Sequence, residues 1–213
     1  MKALAKKFFR RHWATILNVF LVLALGHYTV TKAWKEWESQ QFNFVEVAFA
    51  AHNIIMLTVI LIRRQHLSMD KNVFHQIIAL TAFFSGIVFV KAPAESERLA
   101  LIGTAQGVMA AALILGTIAL LNLGRSFGIL IAARQVKTGG LYRVIRHPMY
   151  FTDILWRAGY LAGNLYWPNT IIFLAGSACY VYRAILEERF LSRFPEYQEY
   201  KKKVRYRFLP GVF

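Results

Sequence analysis

The stretch Leu99–Leu123, LALIGTAQGVMAAALILGTIALLNL, runs for 25 residues without a charged side chain and stops at Gly124-Arg125. A helix of that length rises about 37 Å at 1.5 Å per residue, more than the roughly 30 Å of a bilayer's hydrocarbon core, so it spans with tilt. The rest of the chain has the same character. With 57% apolar and 17% charged side chains over 213 residues, the sequence is too oily for an ordinary soluble domain. On either side of the central stretch lie further charge-poor runs, from Trp13 to Val30, Val45 to Ile62, Val73 to Val90, Tyr150 to Trp167 and Thr170 to Leu186. Together they predict an all-α polytopic membrane bundle of about six spans. Residues 1–123 carry the first four spans. Residues 124–213 carry a loop, a C-terminal helical hairpin and a basic tail, and the two parts form one structural domain overall with no room for a second.

Charge position sets the expected orientation. The formal charge is +15, and 20 of the 26 Lys and Arg fall on one side of a six-span layout, against four on the other. Cytoplasmic loops carry such an excess, so both termini are expected in the cytoplasm. The surplus then reads as a topology signal with some attraction to anionic membrane lipids, and nucleic-acid binding is a poor explanation of it. The basic start Met1 to Arg11 followed by an apolar run superficially resembles a secretory signal, but five more spans follow and a retained first span is expected. Cys179 is the only cysteine, which excludes an intrachain disulfide and a four-cysteine zinc site. No cluster of His, Cys and carboxylate at ligand spacing is evident, so no metal centre is expected. No Walker loop, dinucleotide fingerprint or nucleophile elbow appears either.

Ionisable groups within apolar runs each need a partner or a wet cavity, because burying a charge in hydrocarbon costs about 2.5–3.5 kcal/mol on insertion scales. Asp153 with Arg157 and Arg183 with Glu187 are two i, i+4 pairs, each on one helical face. An intrahelical salt bridge accounts for the first. The second lies beside Glu188 and Arg189 at the depth of the glycine-rich connection Gly124 to Met149, which favours a binding role. Glu46 and His52 read as structural, and His27 and His75 as groups near the membrane surfaces.

The connection contains Leu123-Gly124-Arg125-Ser126-Phe127, and further on Val136-Lys137-Thr138-Gly139-Gly140-Leu141-Tyr142-Arg143-Val144-Ile145-Arg146-His147-Pro148-Met149-Tyr150. Arg183-x-x-x-Glu187-Glu188 follows after the predicted hairpin turn at Gly163–Asn169, and then a tail with Phe194-Pro195-Glu196-Tyr197-x-x-Tyr200 and Pro210. In order and spacing this resembles the isoprenylcysteine carboxyl methyltransferase family of integral membrane enzymes, from roughly Leu120 to Pro210. The resemblance implies S-adenosylmethionine as cofactor, in a pocket built from the loop and the last hairpin and facing the cytoplasm from the inner membrane or an endomembrane. It places Arg134, Gln135, Val136 and Lys137 along the cofactor, although the family's usual His-x-Leu-Val is replaced there. It adds Tyr142, then His147, Pro148, Met149 and Tyr150, then Glu187 and the neighbouring Glu188. Arg183 and Glu187 are the implied catalytic pair, with Arg183 toward the methyl acceptor.

The residue types suit that cofactor. Glu187 or Glu188 can face its ammonium, loop amides or Lys137 its carboxylate, and Tyr142, Tyr150 or His147 its adenine or sulfonium. A carboxylate acceptor of the isoprenylcysteine type could be held bidentately by Arg183. An amine or thiol acceptor needs a proton acceptor instead, for which Glu187, Glu188 and His147 are candidates. The expected partner is a lipophilic or prenylated substrate that arrives laterally from the membrane. Alternatives are a phospholipid N-methyltransferase, a thiol S-methyltransferase, a reductase of isoprenoid or sterol double bonds, and a non-enzymatic scaffold or transporter. Oligomeric state is not legible.

Overall fold

The computed structural model describes residues 2–39, 43–91 and 99–212. Seven helices occur among them: α1 (Lys2–Ser39), α2 (Phe44–Ile62), α3 (Val73–Phe84), α4 (Leu99–Leu123), α5 (Pro148–Gly163), α6 (Trp167–Leu191) and α7 (Pro195–Lys203). Two short strands, β1 (Ser68–Met69) and β2 (Ala132–Ala133), pair antiparallel. The chain divides into two compact units, Met1–Ile62 and Arg63–Phe213.

The first unit is the α1–α2 pair. Thr29 and Thr31 turn their hydroxyls back onto the carbonyls of Leu25 (2.7 Å) and His27 (2.8 Å), which hides those hydroxyls along an apolar helix. Asn43 caps α2, its side chain accepting from the Val45 N–H at 2.9 Å. Glu46, in the first turn of α2, pairs with Lys32, whose ammonium lies 4.8 Å from the Phe49 ring centre.

Among the described residues, four helical segments are long and apolar enough to cross a membrane: Thr15–Glu38, Phe44–Ile62, Ile102–Ser126 and Trp167–Leu191. The other two predicted spans are shorter helices. α3 has 12 residues and α5 has 16, about 18 Å and 24 Å at 1.5 Å per residue, both below the roughly 30 Å core. α3 was expected to run to Val90 but ends at Phe84, because Arg157 of α5 caps it. The Arg157 Nη2 donates to the carbonyls of Ala82 (3.5 Å) and Phe83 (3.3 Å), and the Ser85 hydroxyl also takes Ala82 at 2.7 Å. Beyond the cap, Asn169 accepts from the Val90 N–H at 3.1 Å and donates to its carbonyl at 2.9 Å. Non-helical backbone is tolerated at such depth only where protein groups satisfy it. Arg98, one of the four Lys and Arg on the less basic side of the six-span layout, lies outside the described residues.

The Asp153–Arg157 pair therefore does more than neutralise itself. Arg157 Nη1 donates to the Asp153 carbonyl at 2.9 Å and stands 3.8 Å from its carboxylate, while the Tyr180 hydroxyl donates to that carboxylate at 2.7 Å. α5 and α6 form the expected hairpin, joined through residues 164–166. Against α4, α5 presents Gly159 and Gly163, where an added Cβ would meet Met109 Cγ at 2.7 Å and Ala105 Cβ at 3.2 Å. Small residues four apart let two helix backbones approach where no hydrophobic effect drives them together.

The loop after α4 is the unusual element. Phe127, Ile129, Leu130, Ile131, Ala132 and Ala133 are all buried, so their backbone groups need partners inside the protein. Gln76 of α3 supplies some, donating to the Ile131 carbonyl at 3.1 Å and accepting from its N–H at 3.0 Å. β1 pairs with Ala132–Ala133. Ile131, Ala133, Ala79, Leu186 and Phe190 then close a small core between loop, α3 and α6. The N-terminus of α3 is held by Asn72, which accepts from the Phe74 N–H, and by Asp70, 2.6 Å from the His75 ring nitrogen.

Candidate active site

Arg183 is the hub that fixes the buried loop. It is 3% exposed, and its guanidinium donates to the carbonyls of Ala79 (3.1 Å), Ile129 (2.6 Å) and Gly128 (3.4 Å). Its carbon centre lies 4.7 Å from the Tyr150 ring. The Tyr150 hydroxyl in turn donates to Glu187. No Arg183–Glu187 ion pair forms among the described residues: the two members of the predicted pair turn to different partners, the loop and Tyr150.

After the loop the chain doubles back at Gly139-Gly140. Gly140 has φ +56°, a left-handed conformation that glycine adopts at little cost, and an added Cβ would collide with Asn122. Asn122 uses the closeness, accepting from the Leu141 N–H at 3.0 Å. Tyr142 is thereby buried, with its carbonyl accepting from the Tyr200 hydroxyl at 2.8 Å. His147 precedes Pro148 at the first turn of α5, where proline's missing N–H costs nothing. The His147 and Tyr150 rings stack 5.1 Å apart with planes 13° from parallel.

Glu188 gathers the tail. It is 2% exposed and accepts from Arg146 Nε at 2.8 Å and Arg207 Nε at 3.2 Å, with the His147 ring nitrogen at 3.1 Å. Backbone bonds from the Arg146 and His147 N–H groups to Tyr206 and Arg207, at 2.9 and 3.0 Å, lash the same tail to the start of α5. α7 is thus held so that Tyr197 and Tyr200, three apart on one face, turn inward.

Between these elements lies a cleft enclosing about 770 Å³ of open space, part of it continuous with solvent. Of the residues singled out from the sequence, Arg134, Gln135, Val136, Lys137, Tyr142, His147, Met149, Tyr150 and Glu187 line it. Pro148, Arg183 and Glu188 do not: Pro148 is fully buried at the start of α5, Arg183 grips the loop, and Glu188 anchors the tail. Seven lining residues were not assigned a ligand from sequence: Leu123, Ser126, Phe127, Gly128, Ala132, Arg146 and Leu191, and the tail adds Tyr197 and Tyr200. The Tyr-x-x-Tyr spacing on α7 was the available signal for the last two. Gly128 was marked in sequence only as one of the glycines of the long connection.

The electrostatics of the cleft are mixed. Burial, then repulsion from Arg63, pulls Arg134 down to about 10 against some relief from Glu187, so it stays cationic at neutral pH. Burial first, then Glu187 and Tyr200, pushes the Tyr142 hydroxyl well above its usual range. Burial likewise raises Tyr197 and Tyr200, so all three phenols stay neutral. Three buried polar atoms on lining residues lack a hydrogen-bond partner among the described residues: Ser126 Oγ, Arg134 Nε and Tyr197 Oη. Unmet donors and acceptors in a concave, aromatic-rich pocket are the mark of a ligand site.

Among the described residues, helices long and apolar enough to cross a membrane thus accompany a cleft lined by an acid, cations and aromatic rings. Residues 98–198 match the family model of phospholipid methyltransferase, a membrane methyltransferase family related to the isoprenylcysteine carboxyl methyltransferases. The match covers just under half of the chain, takes in α4 to α6 and the start of α7 with most of the cleft, and supports a membrane methyltransferase. No curated protein matches the chain in sequence.

Proposed function

We propose that this protein is an S-adenosylmethionine-dependent methyltransferase acting on a lipophilic acceptor in its own membrane, with the cleft on the cytoplasmic side. The observation that carries the reading is the cleft itself, which collects an acid, cations and aromatic rings from one loop and three helices. S-adenosylmethionine, when bound, supplies a methyl group already activated on a sulfonium. Glu187 suits its ammonium, Arg134 and Lys137 its carboxylate, and Tyr142 with the His147–Tyr150 stack its adenine. The unpartnered Ser126, Arg134 and Tyr197 atoms fit such a polar guest. The protein's work is then to align the acceptor and exclude water, with no covalent intermediate on any side chain.

Of the two acceptor chemistries, the amine of a phospholipid headgroup has the better support. Matching to the phospholipid methyltransferase model favours it. An isoprenylcysteine-type carboxylate rests on the Arg-His-Pro-x-Tyr and Arg-x-x-x-Glu-Glu resemblance, and the guanidinium it called for, Arg183, already serves backbone carbonyls.

Calorimetric titration of the detergent-purified protein tests the cofactor. S-adenosylmethionine and its demethylated product should bind, and Glu187→Gln should weaken both. Radiolabelled methyl donor offered with phosphatidylethanolamine, and separately with a prenylated cysteine, then identifies the acceptor. Absence of cofactor binding by the wild-type protein would refute the enzymatic reading.

A further inference from the structure

We propose that Tyr180 and Asp153, two side chains that do not line the cleft, are positioning residues for Glu187: Asp153 holds Tyr180, Tyr180 braces the Tyr150 ring, and Tyr150 holds the Glu187 carboxylate in the cleft wall. The inference rests on the reading of Glu187 as the group that meets the cofactor's ammonium, and traces what sets that carboxylate's place.

Three observations carry it. First, the residues interleave. Tyr150, Asp153 and Arg157 recur at i, i+3 and i+7 on α5, and Tyr180, Arg183 and Glu187 at the same spacing on α6, so each set keeps to one helical face. Along the hairpin seam the contacts then run from Glu187 to Tyr150, from Tyr150 to Tyr180 and from Tyr180 to Asp153. Second, Tyr180 is 1% exposed, so whatever it does for the cleft passes through Tyr150. Its ring centre lies 5.4 Å from that of Tyr150, the Arg157 guanidinium stands 5.0 Å from the ring centre, and its hydroxyl donates to Asp153 at 2.7 Å. Third, Asp153 makes its shorter contact with the tyrosine: the Arg157 guanidinium is 3.8 Å from the carboxylate. A carboxylate kept in an apolar helix only to neutralise Arg157 would sit closest to the guanidinium.

The seam forms a clamp. A phenol ring turns about two side-chain torsions, so the place of its hydroxyl depends on what packs against the ring. The Tyr150 ring is packed by His147 at 5.1 Å, by Arg183 at 4.7 Å and by Tyr180. Tyr180 alone of these three is tied back to α5, the helix that bears Tyr150, at Asp153 about one turn further along.

Calorimetric titration of the full chain in detergent with S-adenosylmethionine tests the clamp. Tyr180→Phe keeps the ring but cuts the tether, and should lose roughly 3- to 10-fold in affinity, the worth of one neutral hydrogen bond between Glu187 and its guest. Asp153→Ala should lose as much, whereas Asp153→Asn, whose amide oxygen still accepts from Tyr180, should stay within about twofold of wild type. In a Tyr150→Phe background, where the ring no longer holds Glu187, Tyr180→Phe should cost nothing further; a general loss of stability would add its full effect there. Wild-type affinity in Tyr180→Phe, additive losses in the double variant, or an Asp153→Asn loss equal to that of Asp153→Ala would each overturn the proposal.

A ligand-free readout separates this from the cofactor reading. Fluorine NMR of protein carrying 3-fluorotyrosine at position 150 should show a broader resonance in Tyr180→Phe than in wild type, as the ring gains motion, and an equal line width refutes the clamp. Failure of the wild type to bind S-adenosylmethionine would remove the cofactor reading of Glu187, and the line widths would still decide whether Tyr180 fixes Tyr150.

Discussion

Replacing Arg183 with glutamine separates two roles that the sequence alone could not. In the structure the guanidinium serves three backbone carbonyls, two of them at 2.6 and 3.1 Å, and stacks over Tyr150. Charged hydrogen bonds contribute about 1.5–3 kcal/mol each and the ring contact about 0.5–2 kcal/mol, partly offset by the cost of desolvating the cation. Removing one member of such a buried arrangement therefore costs about 3–5 kcal/mol. For a chain of this size each kcal/mol moves the midpoint by about 2–4 °C, so Arg183→Gln should lower Tm by roughly 6–20 °C in a detergent melt followed by circular dichroism. Arg183→Lys, which retains the charge but not the fork, should fall between. If Arg183→Gln melts within about 2 °C of wild type while turnover disappears, the hub reasoning is wrong and Arg183 faces the acceptor.

Three further outcomes are expected. Glu188→Gln weakens the clasp on Arg146, His147 and Arg207, so hydrogen exchange across residues 195–212 should accelerate while that of α4 is unchanged; equal tail protection in both proteins would contradict the anchor. Gly140→Ala forces a left-handed alanine against Asn122 and should cost about 1–3 kcal/mol, read as a reduced Tm; an unaltered melt would show that the turn relaxes freely. Burial raises Asp70, but the Asn72 N–H and His75 outweigh it and leave the carboxyl below its ordinary value of 3.8. A depressed folded value contributes stability that is present above pH 3.8 and lost as pH falls through the lower folded value, so Asp70→Asn should flatten the acid limb of a Tm-against-pH curve, and identical limbs would exclude that contribution.

Much of the architecture was legible because the bilayer imposes a simple rule: long uncharged runs become helices. Leu99–Leu123 is α4 with the same bounds in sequence and structure, and the proline and glycine punctuation around α5 and α6 marked the hairpin. Motif residues from Arg134 to Tyr150 and Glu187 could be named for the same reason that they converge, since side-chain chemistry is written locally. Hydropathy alone could not tell a span from a shorter buried helix. α3 stops at Phe84 because a guanidinium 73 positions further on, Arg157, takes its last carbonyls.

The same limit governs the charged pairs. From spacing, Arg183 with Glu187 and Arg157 with Asp153 are equivalent, two i, i+4 partners on one face. Packing gave the four groups different occupations: Arg183 holds the loop, Glu187 meets Tyr150, Arg157 caps α3 and Asp153 receives Tyr180. The sequence determined that this chain is an oily helical protein whose polar chemistry is concentrated in one loop, one hairpin and one tail. Only the tertiary structure decided which charges are consumed in satisfying buried backbone and which instead line the cleft, because a hydrogen bond depends on positions in space that neighbours in sequence do not specify.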